Sequence, residues 1–140
     1  MKFERLSIRD LVLITPKVFR DNRGYFYENF CANKFESFSG KKIRFVQENT
    51  SFSKKGVLRG MHFQISPKAQ DKLIRVTKGK IFDVALDLRK KSKTFGRHVS
   101  VILSEKNKKL LWIPKGFAHG YMSLSESTEI SYLLTQKFSP

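Results

Sequence analysis

The chain has 140 residues, of which 40% are hydrophobic and 13% aromatic, so it is long and apolar enough to form one globular domain. No apolar run approaches the roughly 18 residues that a membrane span needs, and a single cysteine, Cys31, excludes an intrachain disulfide. A formal net charge of +16 favours anionic ligands. The charged start MKFERLSIRD is unlike a signal peptide, so we expect one cytoplasmic domain over residues 1–140 with no membrane partner.

Short runs rich in Val, Ile, Phe and Tyr alternate with turn signals along the chain. Ten strands are predicted from this pattern: Leu11–Ile14, Gly24–Asn29, Ile43–Ser51, Val57–Gln64, Lys72–Thr77, Lys80–Leu88, Arg97–Leu103, Lys109–Ile113, His119–Ser123 and Glu129–Thr135. One short helix is predicted at Ala32–Phe38, where Phe35 and Phe38 lie three residues apart. Many short strands at this spacing predict an all-β sandwich or barrel.

The predicted strand Lys80–Leu88 alternates most clearly. One face is large and apolar and is predicted to pack in the core; its residues are Phe82, Val84, Leu86 and Leu88. The opposite face is smaller and carries Asp83 and Asp87. Because a core face rarely contains Asp, that face is predicted to meet solvent or a polar cavity inside a barrel.

In the stretch VLRGMHFQ, Arg59 and His62 lie close together with Gly60 between them. In a regular strand, residues three apart face opposite sides. A bulge at Gly60 would turn both side chains toward one cavity, and we expect one there.

The histidines divide by context. His62 and His119 lie in strand-like segments beside glycines, whereas His98 follows a turn and is predicted at the surface. No His-x-His pattern is present and Cys31 has no nearby partner ligand, so the sequence does not favour a metal site.

A metal-free base with cations around it is the remaining interpretation. Histidine titrates near neutral pH and can remove a proton beside a carbonyl, while the resulting enolate needs fixed positive charge. Arg59 and Lys72 are the nearest candidates for that charge, and Tyr132 in EISYLLT is a candidate proton donor. Taken singly, each could instead be structural: a surface arginine, a solvated lysine and a core tyrosine.

Basic clusters occur at KKIR, RKKSK and KNKK beside turn-like residues. Charge runs of this kind are usually solvated loops. A nucleic-acid-binding barrel is one hypothesis, and it rests on charge alone. Nucleic acid is not favoured as a partner, because no recognition motif or stacking platform accompanies these clusters.

Four long motifs, PKVFRDNRGYFYENF, VQENTSFSKKGVLRGMHFQ, AQDKLIRVTKGKIFDVALDLRK and TFGRHVSVILSEKNKKLLWIPKGFAHGYMSLSESTEISY, occur in this order. With them the chain resembles the dTDP-4-dehydrorhamnose 3,5-epimerase family from about residue 11 to its end. The resemblance implies a cupin-type jelly-roll β-barrel with one short helix, acting as a homodimer without metal or cofactor. It implies epimerisation at C3, C5 or both of a 4-keto-6-deoxyhexose carried on a nucleotide diphosphate, with dTDP expected. The pathway implied is surface polysaccharide (O-antigen type lipopolysaccharide) or deoxysugar synthesis.

The resemblance also assigns roles to residues. His62 matches the catalytic base and Tyr132 the acid. Residues matching contacts to the sugar, enolate and diphosphate are Arg59, Lys72 and His119. Residues matching nucleotide-sugar contacts are Arg23, Glu28, Gln47 and Asn49, with Phe138 in KFSP as the aromatic that stacks on the base.

Family chains usually continue past Pro140, with an Asp that orients the catalytic histidine. Without that extension, Asp83 is the candidate for orienting a histidine. A shortened barrel that binds a nucleotide sugar without turnover is therefore the alternative hypothesis.

Overall fold

The computed structural model describes residues 1–139, which form twelve strands and one helix. The strands are β1 (Lys2–Arg5), β2 (Val12–Thr15), β3 (Val18–Asp21), β4 (Gly24–Tyr27), β5 (Gln47–Lys54), β6 (Leu58–His62), β7 (Lys72–Lys78), β8 (Lys80–Asp87), β9 (His98–Ser104), β10 (Leu110–Ile113), β11 (Phe117–Ser123) and β12 (Ser127–Leu134), and the helix is α1 (Ala32–Ser39). The last residue of the predicted domain, Pro140, lies outside the described residues.

Ten strands form two antiparallel sheets that pack face to face as a jelly-roll barrel. The first has six strands in the order β1-β2-β10-β7-β12-β5, and the second has four in the order β6-β11-β8-β9. Strands β3 and β4 pair only with each other as a hairpin. Apolar residues of both sheets, including Ile74, Ile130, Ile81 and Leu103, meet in one buried cluster. The predicted all-β class with one short helix is confirmed.

Helix α1 covers the outer face of the six-stranded sheet. Its Phe35 is fully buried and lies against Trp112 of β10, with ring centroids 5.0 Å apart. Both faces of β10 are therefore covered, which explains why all four of its residues are buried. Within residues 1–139, no helix has the length and apolar character needed to cross a membrane.

The prediction for β8 assigned the core to the wrong face. Asp83 and Asp87 are fully buried, whereas Phe82 on the opposite face is 40% exposed. The face carrying the carboxylates points into the barrel, and each carboxylate has a cationic or imidazole partner there: Asp83 has His119, and Asp87 has Arg89. The alternative of a polar cavity inside a barrel was the right one for this face.

Several strand boundaries also differ from the prediction. Strands β1 and β3 were not predicted, because KFER and VFRD are short and interrupted by charges. The predicted strand Ile43–Ser51 begins only at Gln47. Ile43 packs instead, without strand geometry, against the cluster beneath α1, which satisfies its apolar character without a sheet.

Candidate active site

A cavity of about 590 Å³ lies between residues of the two sheets. The six-stranded sheet contributes side chains from β5, β7 and β12, and the four-stranded sheet contributes side chains from β6 and β11. The predicted site residues that line it are Asn49, Arg59, His62, Lys72, His119, Tyr132 and Phe138. Residues far apart in sequence are thus brought to one space by the jelly-roll topology.

Arg59 and His62 both face this cavity because β6 is bulged at Gly60. His62 pairs with His119 of β11. Arg59 pairs with Tyr121, so three residue steps on β6 stand opposite two on β11. Gly60 has φ +138°, a conformation that side chains rarely allow. The predicted bulge is confirmed, and the extra residue turns both functional side chains to the same side.

His119 is fixed by a buried carboxylate. Its Nε2 lies 2.8 Å from Oδ2 of Asp83, and the exposed fractions of the two residues are 4% and 0%. Asp83, the candidate for orienting a histidine, therefore contacts His119 and not His62. The strand order explains this: β8 neighbours β11, while β6 lies on the far side of β11.

Tyr132 projects from β12, on the sheet opposite His62. Its hydroxyl lies 3.0 Å from Oγ of Ser51. Burial raises the pKa of the Tyr132 phenol well above its ordinary value, and the hydrogen bond from Ser51 offsets part of that rise. The phenol is therefore protonated at neutral pH and available as a proton donor.

Lys72, the first residue of β7, places its ammonium group in the cavity wall. Burial lowers the pKa of this ammonium group, and the nearby Asp83 carboxylate offsets part of the change. A partly desolvated cation in this position can stabilise negative charge that develops on a bound molecule.

The C-terminal segment forms one wall of the cavity. Gln47 does not line the cavity, but its side chain donates to Oδ1 of Asn49 (2.8 Å) and accepts the backbone N–H of Phe138 (3.0 Å). Oε1 of Gln64 accepts the backbone N–H of Ser139 at 2.9 Å. These bonds hold the ring of Phe138, 60% exposed, at the cavity edge.

Besides Gln47 and Asp83, two further predicted residues lie outside this cavity. Arg23 is in the β3–β4 turn, where it forms an ion pair with Asp21 at 2.6 Å. Glu28 follows β4 and pairs with Lys34 of α1 at 2.8 Å. The structure does not bring either side chain to the cavity of its own barrel.

The sequence reasoning missed several lining residues: Glu48, Thr50, Ser51, Gln70, Tyr121 and Leu134. Two of them carried a usable signal. Tyr121 lies two residues from His119 and Ser51 lies two residues from Asn49, so strand alternation places each on the same face as a residue already singled out.

The cavity combines a histidine, an ammonium, a guanidinium and a phenol. His62 comes from the four-stranded sheet, whereas Lys72 and Tyr132 come from the six-stranded sheet. This arrangement can remove a proton beside a carbonyl, stabilise the enolate and return a proton to the opposite face. Among residues 1–139, no group of three or more His, Cys, Asp or Glu side chains is placed to hold a metal ion.

A comparison with protein families matches residues 5–140 to the model described as dTDP-4-dehydrorhamnose 3,5-epimerase. The enzyme of that name from Salmonella typhimurium is 52% identical over 136 residues, covering 97% of this chain and 74% of its own. Its namesake from Escherichia coli is 50% identical over 140 residues, covering 100% of this chain and 76% of its own.

Solved structures give the same result. A dTDP-6-deoxy-D-glucose-3,5-epimerase from Legionella pneumophila, in complex with dTDP-4-keto-L-rhamnose, superimposes with a TM-score of 0.94 at 48% identity. That match covers 99% of this chain and 73% of the other. A 3'-monoepimerase from Streptomyces bikiniensis, in complex with dTDP-quinovose, superimposes with a TM-score of 0.91 at 29% identity, covering 96% and 68%.

Proposed function

Because the chain belongs to the dTDP-4-dehydrorhamnose 3,5-epimerase family, we propose that it epimerises a dTDP-linked 4-keto-6-deoxyhexose at C3, C5 or both. The observation that carries the proposal is the placement of His62 and Tyr132 on opposite sheets of one cavity. A sugar ring held between them would meet a base on one face and an acid on the other.

The proposed reaction has two proton transfers. His62 removes the proton from the carbon beside the C4 ketone, and the electron pair moves onto the ketone oxygen to form an enolate. Lys72 and Arg59 supply positive charge to that oxygen and the neighbouring diphosphate. Tyr132 then donates its phenolic proton to the opposite face of the carbon, which inverts its configuration.

His119 serves in this proposal as a fixed donor or acceptor for the sugar. Its bond to Asp83 sets the orientation of the imidazole and leaves its other nitrogen for the cavity. At the nucleotide end, the exposed ring of Phe138 offers a flat apolar face on which a base can stack. Asn49, positioned by Gln47, adds an amide at the same wall.

A homodimer is part of the proposal. The family resemblance connects Arg23 and Glu28 with the nucleotide sugar, yet both lie outside the cavity of their own barrel. If the β3–β4 hairpin of one copy extends into the cavity of a second copy, Arg23 and Glu28 can contact the nucleotide sugar bound there. The exposed aromatic rings of the hairpin support a protein contact there, since Phe19 and Phe26 are 53% and 71% exposed.

A single cupin domain in the cytoplasm, acting in surface polysaccharide or deoxysugar synthesis, completes the proposal. The alternative of a barrel that binds a nucleotide sugar without turnover is less well supported. The family match extends over residues 5–140, and a base, an acid and two cations share one cavity.

Hydrogen exchange in deuterated water tests the proposal directly. With dTDP-4-keto-6-deoxyglucose as substrate, we expect deuterium at C3 or C5 and inverted product, both read by NMR. His62→Ala should lower exchange by about 10²- to 10⁴-fold, because it removes the base. Tyr132→Phe should reduce inversion more than exchange, because proton removal remains possible.

Calorimetry with the same substrate separates the two hypotheses. Binding without any deuterium incorporation by the folded wild-type protein would overturn the epimerase proposal and favour the binding-only barrel.

A further inference from the structure

A continuous chain of hydroxyl groups connects Arg59 to Tyr132 across the two sheets. Nε of Arg59 lies 2.9 Å from Oγ of Ser53, which lies 2.9 Å from the hydroxyl of Tyr121. That hydroxyl lies 3.1 Å from Oγ of Ser51, which lies 3.0 Å from the hydroxyl of Tyr132. The chain joins β5 and β12 of one sheet to β6 and β11 of the other.

The middle of this chain is shielded from water. Ser53 is 3% exposed and Tyr121 is 2% exposed. Burial strengthens hydrogen bonds and limits exchange with solvent, so the hydroxyl hydrogens here must point at the partners that the protein supplies.

The guanidinium end favours one direction along the chain. Arginine can only donate, so Ser53 accepts from Arg59, and the other partner of the Ser53 hydroxyl, Tyr121, is the acceptor within the chain for the Ser53 hydrogen. In the arrangement that gives every hydroxyl hydrogen along the chain an acceptor, Tyr121 then donates to Ser51, and Ser51 donates to Tyr132. The hydrogen of Tyr132 is then not used within the chain and is free to point into the cavity.

We propose that Tyr121, with Ser51 and Ser53, acts as a polarised positioning chain that presents the Tyr132 proton to the substrate. The inference rests on the proposed epimerase function, in which Tyr132 is the acid. When Tyr132 gives its proton to the enolate carbon, its oxygen becomes a phenolate that already accepts a hydrogen bond from Ser51. The positive end at Arg59 favours that negative charge through the aligned hydroxyl dipoles.

Loss of the Tyr121 hydroxyl breaks the chain at its buried middle, where Tyr121 is 2% exposed. In Tyr121→Phe, the oxygen of Ser51 loses its donor and can accept the hydrogen of Tyr132, which turns that hydrogen away from the cavity. Proton removal by His62 does not depend on this chain. The variant should therefore still exchange deuterium, but it should deliver fewer protons to the opposite face.

The test measures the ratio of inverted product to substrate that has gained deuterium with its configuration retained. In Tyr121→Phe we expect this ratio and kcat for epimerisation to fall about tenfold, with KM and total exchange changing less than about twofold. Ser51→Ala should act in the same direction, and Ser51→Thr should restore the ratio because it keeps the hydroxyl.

Ser123→Ala is the matched control, because it also removes a buried hydroxyl on β11. The Ser123 hydroxyl bonds Thr128 at 2.7 Å and donates to the carbonyl of Ser125 at 3.1 Å, and neither partner belongs to the chain, so its loss should leave the ratio unchanged. If Tyr121→Phe does not fold, the comparison of Ser51→Ala with Ser51→Thr tests the positioning chain instead.

Two results would overturn the inference. A Tyr121→Phe protein, or a Ser51→Ala protein, with the wild-type ratio would contradict the positioning chain while leaving the epimerase function intact. A wild-type protein without any deuterium exchange would contradict the epimerase function and the chain together.

Discussion

At the scale of single residues, the cavity pairs two groups whose pKa values burial moves in opposite directions. Burial lowers the pKa of the Lys72 ammonium group and raises that of the Tyr132 phenol. Both shifts follow from the cost of holding the charged form away from water. As pH rises, Lys72 is therefore the first of the two to lose the form that the proposed reaction needs.

The fall in activity at high pH should therefore reflect deprotonation of Lys72. We expect kcat to fall as pH rises through the depressed pKa of Lys72, below about 10.5, because the neutral amine no longer stabilises the enolate. Lys72→Arg keeps the positive charge at high pH, so kcat should fall only at a higher pH than in the wild-type protein. A pH–rate profile for each protein from neutral to strongly alkaline pH checks this, and an identical fall in both would contradict it.

Folding stability should change in the opposite direction over the same range. Between the depressed pKa of folded Lys72 and its ordinary value, the unfolded chain binds more protons than the folded one. This group's contribution to stability therefore rises with pH in that window. Deprotonation of Lys72 does not destabilise the fold in this pH window, so it would not lower activity there by unfolding the protein.

Most residues with distinctive chemistry could be singled out from the sequence, because His62, His119, Arg59 and Lys72 are unusual in apolar strands. The hydroxyl residues could not. A serine or tyrosine within a strand has the same local pattern whether it packs, meets solvent or bonds a residue some 70 positions away, as Tyr121 does with Ser51.

At the scale of elements, the bulge in β6 depends on two glycines that touch across the sheet. A Cβ on Gly60 would lie 2.6 Å from Cα of Gly120, and a Cβ on Gly120 would lie 3.2 Å from Cα of Gly60. The three nearest atoms to a Cβ on Gly60 are all backbone, so no flexible side chain can move aside there, whereas a Cβ on Gly120 would first meet the Met61 sulfur at 2.7 Å. This close approach keeps Arg59 and His62 in register with β11.

Gly60→Ala should accordingly be strongly destabilising, by about 3 kcal/mol or more, because it adds a clash to an unfavourable positive φ. Gly24→Ala is the matched control: its φ is +130° against +138° for Gly60, but a Cβ at Gly24 would have no other atom within 4 Å. The control should lose only about 1–2 kcal/mol. Guanidinium denaturation measures both, and equal losses would show that the glycine contact is unimportant.

The helix and most of the strands followed from alternation and turn signals, but strands β1 and β3 and the inward face of β8 did not. Alternation shows that two faces differ without showing which one is inside. Phe82 and its neighbours are large and apolar, yet Phe82 lies on the outer face of the four-stranded sheet. The partner that holds Asp83 inside, His119, becomes adjacent only when β8 and β11 pair.

At the scale of the whole molecule, the β3–β4 hairpin and the cavity carry complementary parts of the proposed site. Arg23 and Glu28 lie with the hairpin, while His62 and Tyr132 lie in the cavity. In the proposed homodimer, each cavity would use the hairpin of the other copy. A chain with a defective hairpin and a chain with a defective cavity could then complement each other in a mixed dimer.

Co-expression of Arg23→Ala and His62→Ala chains tests this division. Each variant alone should have low activity. In a mixed dimer, the intact cavity of the Arg23→Ala chain would receive the intact hairpin of its partner, so one of the two sites is complete and about half of wild-type activity should return. The measurement is epimerisation by mixed dimers purified through two different tags, and mixed dimers no more active than their parents would contradict the exchange of hairpins.

The C-terminal wall of the cavity has a consequence for how nucleotide preference could change. The side chains of Gln47 and Gln64 bond the backbone N–H groups of Phe138 and Ser139. The side chains of Phe138 and Ser139 take no part in these bonds. The path of the chain is thus insensitive to which side chain stands at position 138. In the proposed function, exchange of the ring at position 138 would change the favoured base, while the part of the cavity that carries His62 and Tyr132 and the fold around it stay as they are.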